Sequence, residues 1–205
     1  MYKDFFKRLL DILFSLICIV ITALPMLIIA LAVMTDSRGG IIFSQKRVGK
    51  TTTERKYFNI YKFRTMHSNA PNNVPTHLLR DRETHITRVG KILRKTSLDE
   101  LPQLFNILKG DMSFVGPRPA LYNQYDLMEE REKNGSDRIL PGLTGWAQVN
   151  GRDEIDVYEK ARLDGEYSNR MSLFFDVKCI ILTAKLLIFE NKSDFESFDR
   201  GEVFK

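Results

Sequence analysis

Residues 9–34 read LLDILFSLICIVITALPMLIIALAVM, 26 residues in which Asp11 is the only charge. No other stretch constrains the fold as strongly. As one straight helix it would run roughly 39 Å, longer than the roughly 30 Å hydrocarbon core of a bilayer. It is also too long for a secretory signal, whose apolar core runs roughly 7–15 residues. Lys3, Lys7 and Arg8 before it and Ala30-Leu31-Ala32 within it keep cleavage as the alternative to test. A membrane-embedded segment is the expectation.

Two details bear on how that segment sits. Pro25 lies near its middle, where proline removes one backbone hydrogen bond and bends a helix. Basic residues flank both ends, Lys3, Lys7 and Arg8 before and Arg38, Lys46, Arg47 and Lys50 after. The positive-inside tendency places both flanks in the cytoplasm. A helix that enters, bends at Pro25 and returns to the same face satisfies both facts; a single span remains the competing geometry.

Charge is distributed unevenly behind the formal net of +5. Residues 1–37 are neutral, residues 38–95 carry 14 basic and 3 acidic groups, and residues 96–205 carry 14 basic and 20 acidic groups. The basic block favours anionic partners such as lipid headgroups or a phosphorylated substrate. A merely solvated basic surface is the plainer account. Two cysteines in separate apolar stretches exclude a disulfide scaffold and fit a reduced compartment.

Beyond residue 40 the pattern is mostly helical with short extended pieces. Strand character is expected at 41–48 and 57–66, loops at 67–80 and 111–120, and a Gly-rich irregular stretch at 139–152. Helices are expected at 87–95, 96–109 (ended by Gly110), 121–133, 153–167 and 173–189. The last is apolar but carries Asp176, Lys178 and Lys185, which predicts a helix lying in the membrane interface with its charges toward water. A buried core helix is the alternative.

The sharpest local feature is Ser97-Leu98-Asp99-Glu100-Leu101-Pro102. Proline is tolerated in the first turn of a helix, so Asp99 and Glu100 belong at or beside a helix start, where the dipole keeps carboxylates ionised. Plain N-capping by Ser97 or Asp99, with Glu100 in a capping box, accounts for the tetrapeptide alone. The neighbours extend the reading. Arg94 and Lys95 precede the pair, and Arg118 follows between Pro117 and Pro119, held to present a guanidinium to phosphate. A carboxylate among fixed cations can hold Mg²⁺ together with substrate phosphates, or attack phosphorus as a nucleophile. Walker A, GxGxxG, zinc-spaced Cys/His and DxD patterns are absent from the sequence.

Three stretches carry a resemblance: KILRKTSLDELPQLFNILKGDMSFVGPRP at 91–119, YKFRTM at 61–66 and PGLTGWAQVNGR at 141–152. Together they resemble the bacterial sugar transferases, the monotopic phosphoglycosyl transferases that start glycan assembly on a polyprenyl phosphate. The likeness runs to about residue 189, and the length is that of members reduced to the catalytic core. The family implies an Asp-Glu dyad, matched by Asp99 and Glu100, with the aspartate as covalent nucleophile and Mg²⁺ nearby. It implies phosphate or nucleotide contacts at Arg94, Arg118, Arg152 and Lys62. It also implies a re-entrant helix broken at Ser-Pro. Here Leu24 stands in place of the serine before Pro25, leaving Thr22 as a hydroxyl for the freed carbonyls.

The resulting expectation is an α+β chain, mostly α with short extended segments. Residues 1–36 form a re-entrant membrane helix, 37–190 an interfacial and cytosolic catalytic core with amphipathic helices, and 191–205 a polar tail. The implied reaction moves a phospho-sugar from a UDP-sugar to polyprenyl phosphate and releases UMP at the cytoplasmic face of a bacterial inner membrane. Its partners are UDP-sugar, polyprenyl phosphate and membrane phospholipid, not nucleic acid, with a homodimer left open. The competing class is a non-catalytic membrane-surface module that binds anionic lipid and a glycan-assembly partner.

Overall fold

A computed structural model describes residues 2–52, 54–71, 82–151 and 155–199. The apolar run becomes α1 (Lys7–Asp36), a helix of 30 residues continuous through Pro25 and preceded by a π-turn at Tyr2–Phe6. One face of α1 is buried at its two ends and partly covered between them. Lys7, Asp11, Ser15, Ile29 and Val33 are buried on it, and Cys18 and Ile19 pack beside Ile60, Leu104, Ile107 and Met112. The opposite face is open and apolar: Val20, Ile21 and Leu24 are 75%, 69% and 66% exposed. Thr22 does not serve the Ile21 carbonyl that Pro25 leaves without a partner. Its hydroxyl donates to the Cys18 carbonyl at 2.6 Å, a back-bond that itself bends helices.

Both ends of α1 are tied to the rest of the chain. At its start Lys7 pairs with Asp176 at 2.5 Å, Arg8 donates to the Ile107 and Leu108 carbonyls, and Asp11 accepts from the Phe114 amide and the Ser113 hydroxyl. The lone charge of the apolar run is therefore turned inward. At its end Asp36 accepts from the Val89 amide, and buried Arg64 donates to the Val33, Ser37 and Arg38 carbonyls, closing the helix with a cation where its dipole is negative.

β1 (Ile42–Val48) and β2 (Tyr57–Phe63) form an antiparallel hairpin, Ile42 facing Phe63 and Val48 facing Tyr57. A short α2 (Arg82–His85) leads to α3 (Arg88–Thr96), whose N-cap Thr87 accepts from the Gly90 amide. The helix expected over 96–109 is split. Ser97 takes a left-handed conformation (φ 56°, ψ 16°) that ends α3; a 3₁₀ turn follows at Leu98–Glu100, and α4 spans Gln103–Lys109. Gly110 ends α4 as expected, in the left-handed region at φ 95°.

Of the segments expected to be loops or irregular, 111–120 and 139–152 each hold a short strand, and 72–80 lie outside the described residues. β3 (Ser113–Val115) pairs in parallel with β4 (Gly142–Thr144). α5 (Tyr125–Asn134), α6 (Trp146–Val149) and α7 (Val157–Arg170) complete the core, with α5 joined to α7 by a buried Arg131–Asp164 pair at 2.6 Å. α8 (Leu173–Asp199) runs past its expected end. The expectation that all its charges face water is corrected at Asp176. That carboxylate is buried and accepts from Lys7, Tyr2 and Tyr167, because the N-terminal turn supplies partners invisible in the helix itself. Phe174, Ile181 and Ile188 face outward.

Candidate active site

α3, the 3₁₀ turn, β2 and the segment after β3 converge on the Asp-Glu pair. α3 lies unusually close to the end of the hairpin: a Cβ on Gly90 would come 2.1 Å from the Thr65 carbonyl oxygen. One turn later Arg94 Nε donates to Thr65 Oγ1 at 2.8 Å. Ser97 then turns the chain, so its side chain caps nothing. The capping box available to the sequence does not form, and the carboxylates are released for tertiary partners.

Those partners are cations. Lys62 Nζ lies 2.6 Å from Glu100 Oε1 and 3.9 Å from Asp99 Oδ2. Arg118 Nη2 lies 3.7 Å from Glu100 Oε1. The two carboxyls differ sharply. Burial works to raise Glu100, but Lys62 and Arg118 overcome it and bring it down to about 2. Burial also raises Asp99, the neighbouring Glu100 charge adds to that, and Lys62 and Arg94 offset only part, so Asp99 lies above its ordinary value. Glu100 is thus a fixed anion neutralised by two cations, whereas Asp99 is a buried carboxyl with a destabilised charge, the condition that favours reaction with an electrophile.

Arg118 is presented by the β3–β4 seam. Gly116 N–H donates to the Thr144 carbonyl and Gly142 N–H to the Pro117 carbonyl, both at 2.9 Å. A Cβ on Gly142 would meet Gly116 N at 2.1 Å, so only glycine permits this approach. Pro117 and Pro119 stiffen the segment on either side of the guanidinium.

Asp99, Glu100, Lys62, Arg94 and Arg118 all line one open cleft of about 1870 Å³. Apolar side chains of α1 (Leu10, Phe14) and α8 (Val177, Ile180) line it too. Of the residues anticipated from sequence, Arg152 lies outside the described residues, and Pro25 stands in α1 away from the cleft lining. Gln103 and Asn106 were not anticipated, although both are buried on α4 beside Leu104 and Ile107. Their signal is polar residues at three-residue spacing on an otherwise apolar helix face.

The chain spans less than half of most of the curated relatives it matches. One is the undecaprenyl-phosphate glucose phosphotransferase of Komagataeibacter xylinus, 37% identical over 199 residues, covering 91% of this chain and 36% of the relative. Another is the UDP-glucose:undecaprenyl-phosphate glucose-1-phosphate transferase of Escherichia coli (strain K12), 40% identical over 185 residues, covering 86% and 39%. The uncharacterized sugar transferase EpsL of Bacillus subtilis (strain 168) matches nearly end to end, 39% identical over 182 residues, covering 89% and 87%. The bacterial sugar transferase family model matches residues 2–190, almost all of what surrounds the cation-lined dyad, and the chain belongs to that family.

Proposed function

We propose that the chain transfers a phospho-sugar from a UDP-sugar to polyprenyl phosphate in two steps. Asp99 forms a bond to the β-phosphorus, the bond from that phosphorus to the oxygen bridging the α-phosphate breaks, and UMP leaves. An oxygen of polyprenyl phosphate then attacks the same phosphorus, Asp99 departs as a carboxylate, and polyprenyl-diphosphate-sugar is formed. The observation that carries this reading is the asymmetric dyad, a buried Asp99 beside a neutralised Glu100 in a cleft that also holds Arg94 and Arg118. Those cations stabilise charge on the transferring phosphoryl group, and the apolar cleft walls of α1 and α8 suit a lipid acceptor. Two relatives are named as transferases of glucose phosphate to undecaprenyl phosphate, which supports the same substrate classes.

Two adjacent carboxylates fit Mg²⁺, which needs one or two such ligands when substrate phosphates supply others. Asp99 and Glu100 would hold it, and a bound ion neutralises phosphate charge. A chelator should therefore stop UMP release, and added Mg²⁺ should restore it. Among the described residues there is no cluster of three His, Cys, Asp or Glu side chains to hold such an ion without substrate.

Incubated with a UDP-sugar and no acceptor, the protein should release UMP and gain the mass of a phospho-sugar. Asp99→Asn should lose both. An adduct retained in that variant would remove Asp99 from the role. Binding to vesicles without UMP release from any UDP-sugar would favour the surface-module alternative.

A further inference from the structure

Lys62 and the dyad reach each other from separate elements, β2 and the turn before α4. Asn106 joins those elements. It is fully buried on α4. Its Oδ1 accepts from the Tyr61 amide at 3.0 Å, and its Nδ2 donates to the Asn59 carbonyl at 2.8 Å and to Asp111 Oδ2 at 3.3 Å. Asn59 and Tyr61 flank Ile60, so the amide stands where a neighbouring strand would, on the edge of β2 away from β1. Its own carbonyl accepts from the Gly110 and Asp111 amides, which anchors it at the end of α4. The next residue after Tyr61 is Lys62.

We propose that Asn106 is a positioning residue for Lys62: by locking the β2 edge to α4 it fixes the lysine ammonium against the Asp99–Glu100 pair. This rests on Asp99 being the nucleophile. A lysine side chain carries several rotatable bonds, so a 2.6 Å contact with Glu100 requires its backbone to be held. Asn106 holds that backbone to α4, the helix that follows directly on the dyad's turn. A purely structural asparagine would contribute to folding without coupling to Lys62.

The test is a double-mutant cycle on the full chain, reading first-turnover UMP release. Lys62→Met should slow release about 10²-fold, the usual cost of removing one preorganised charge-stabilising group. Asn106→Ala should slow it about 10-fold, within the coupling range of contacting residues, and should add nothing in the Lys62→Met background. An additive double variant overturns the proposal. Should Asn106→Ala not yield folded protein, Asn106→Ser passes through the same cycle. Lys62 acylation, read by peptide mass spectrometry, judges the inference apart from the reaction. Lys62 should gain reactivity in the Asn106 variants even if no UDP-sugar yields UMP, and unchanged reactivity overturns the positioning role alone.

Discussion

Burial raises the Asp99 carboxyl above its ordinary value of 3.8, beyond what Lys62 and Arg94 recover. A carboxyl raised in the folded state favours folding below its unfolded pKa, and that contribution disappears as pH rises through the folded value. At neutral pH Asp99 therefore costs stability. Asp99→Asn should lose the phospho-sugar adduct yet melt at a higher temperature at pH 7.5. The difference should shrink as pH falls through the folded value of Asp99 and vanish below 3.8. A lower melting temperature at pH 7.5 would show that the Lys62 and Arg94 charges outweigh burial. Glu100 carries the opposite sign: lowered from 4.5 to about 2, it stabilises the fold above 4.5, and that contribution is lost as pH falls toward 2. Glu100→Gln should melt lower at pH 7.5. Sequence could place both carboxylates at a helix start but not tell them apart. What separates them is Lys62, 37 and 38 residues away, and a left-handed Ser97 that no local propensity demands.

Elements with a local cause were readable. The helix expected at 87–95, Gly110 ending α4 and the strand character of β2 each have causes within a few residues. Elements made by pairing were not. β3 and β4 are three residues each and exist because Gly116 and Gly142 let two chains approach; a strand of that length carries no period. The same distinction governs α8, whose Asp176 faces inward because Lys7, Tyr2 and Tyr167 meet it there. The β3–β4 seam offers the cleanest test at this scale. Gly142→Ala places a methyl against Gly116 N and should cost about 1–3 kcal/mol through overpacking. Because the seam also presents Arg118, the same substitution should raise the KM for UDP-sugar even at temperatures where the variant is fully folded. An unchanged KM would mean that Pro117 and Pro119 alone orient the guanidinium.

Across the whole molecule, the question is what the exposed face of α1 meets. The helix is long and apolar enough to cross a bilayer, yet its start is held by α4, β3 and α8 and its end by α3 and the residues after β2. A spanning helix with its ends in opposite compartments would have to shed one set of these contacts, which include the buried Lys7–Asp176 pair and the three carbonyls bound by Arg64. The contacts at both ends favour a path on which the open face of α1 enters one leaflet and both flanks stay on one side of the bilayer. With Cys18 and Cys179 replaced by Ala, a single cysteine at Lys3 or at Arg38 reports each flank. Neither should react with an impermeant maleimide added outside intact cells, and both should react after permeabilisation. Outside labelling of only one flank would establish a span and force one end of α1 off the core.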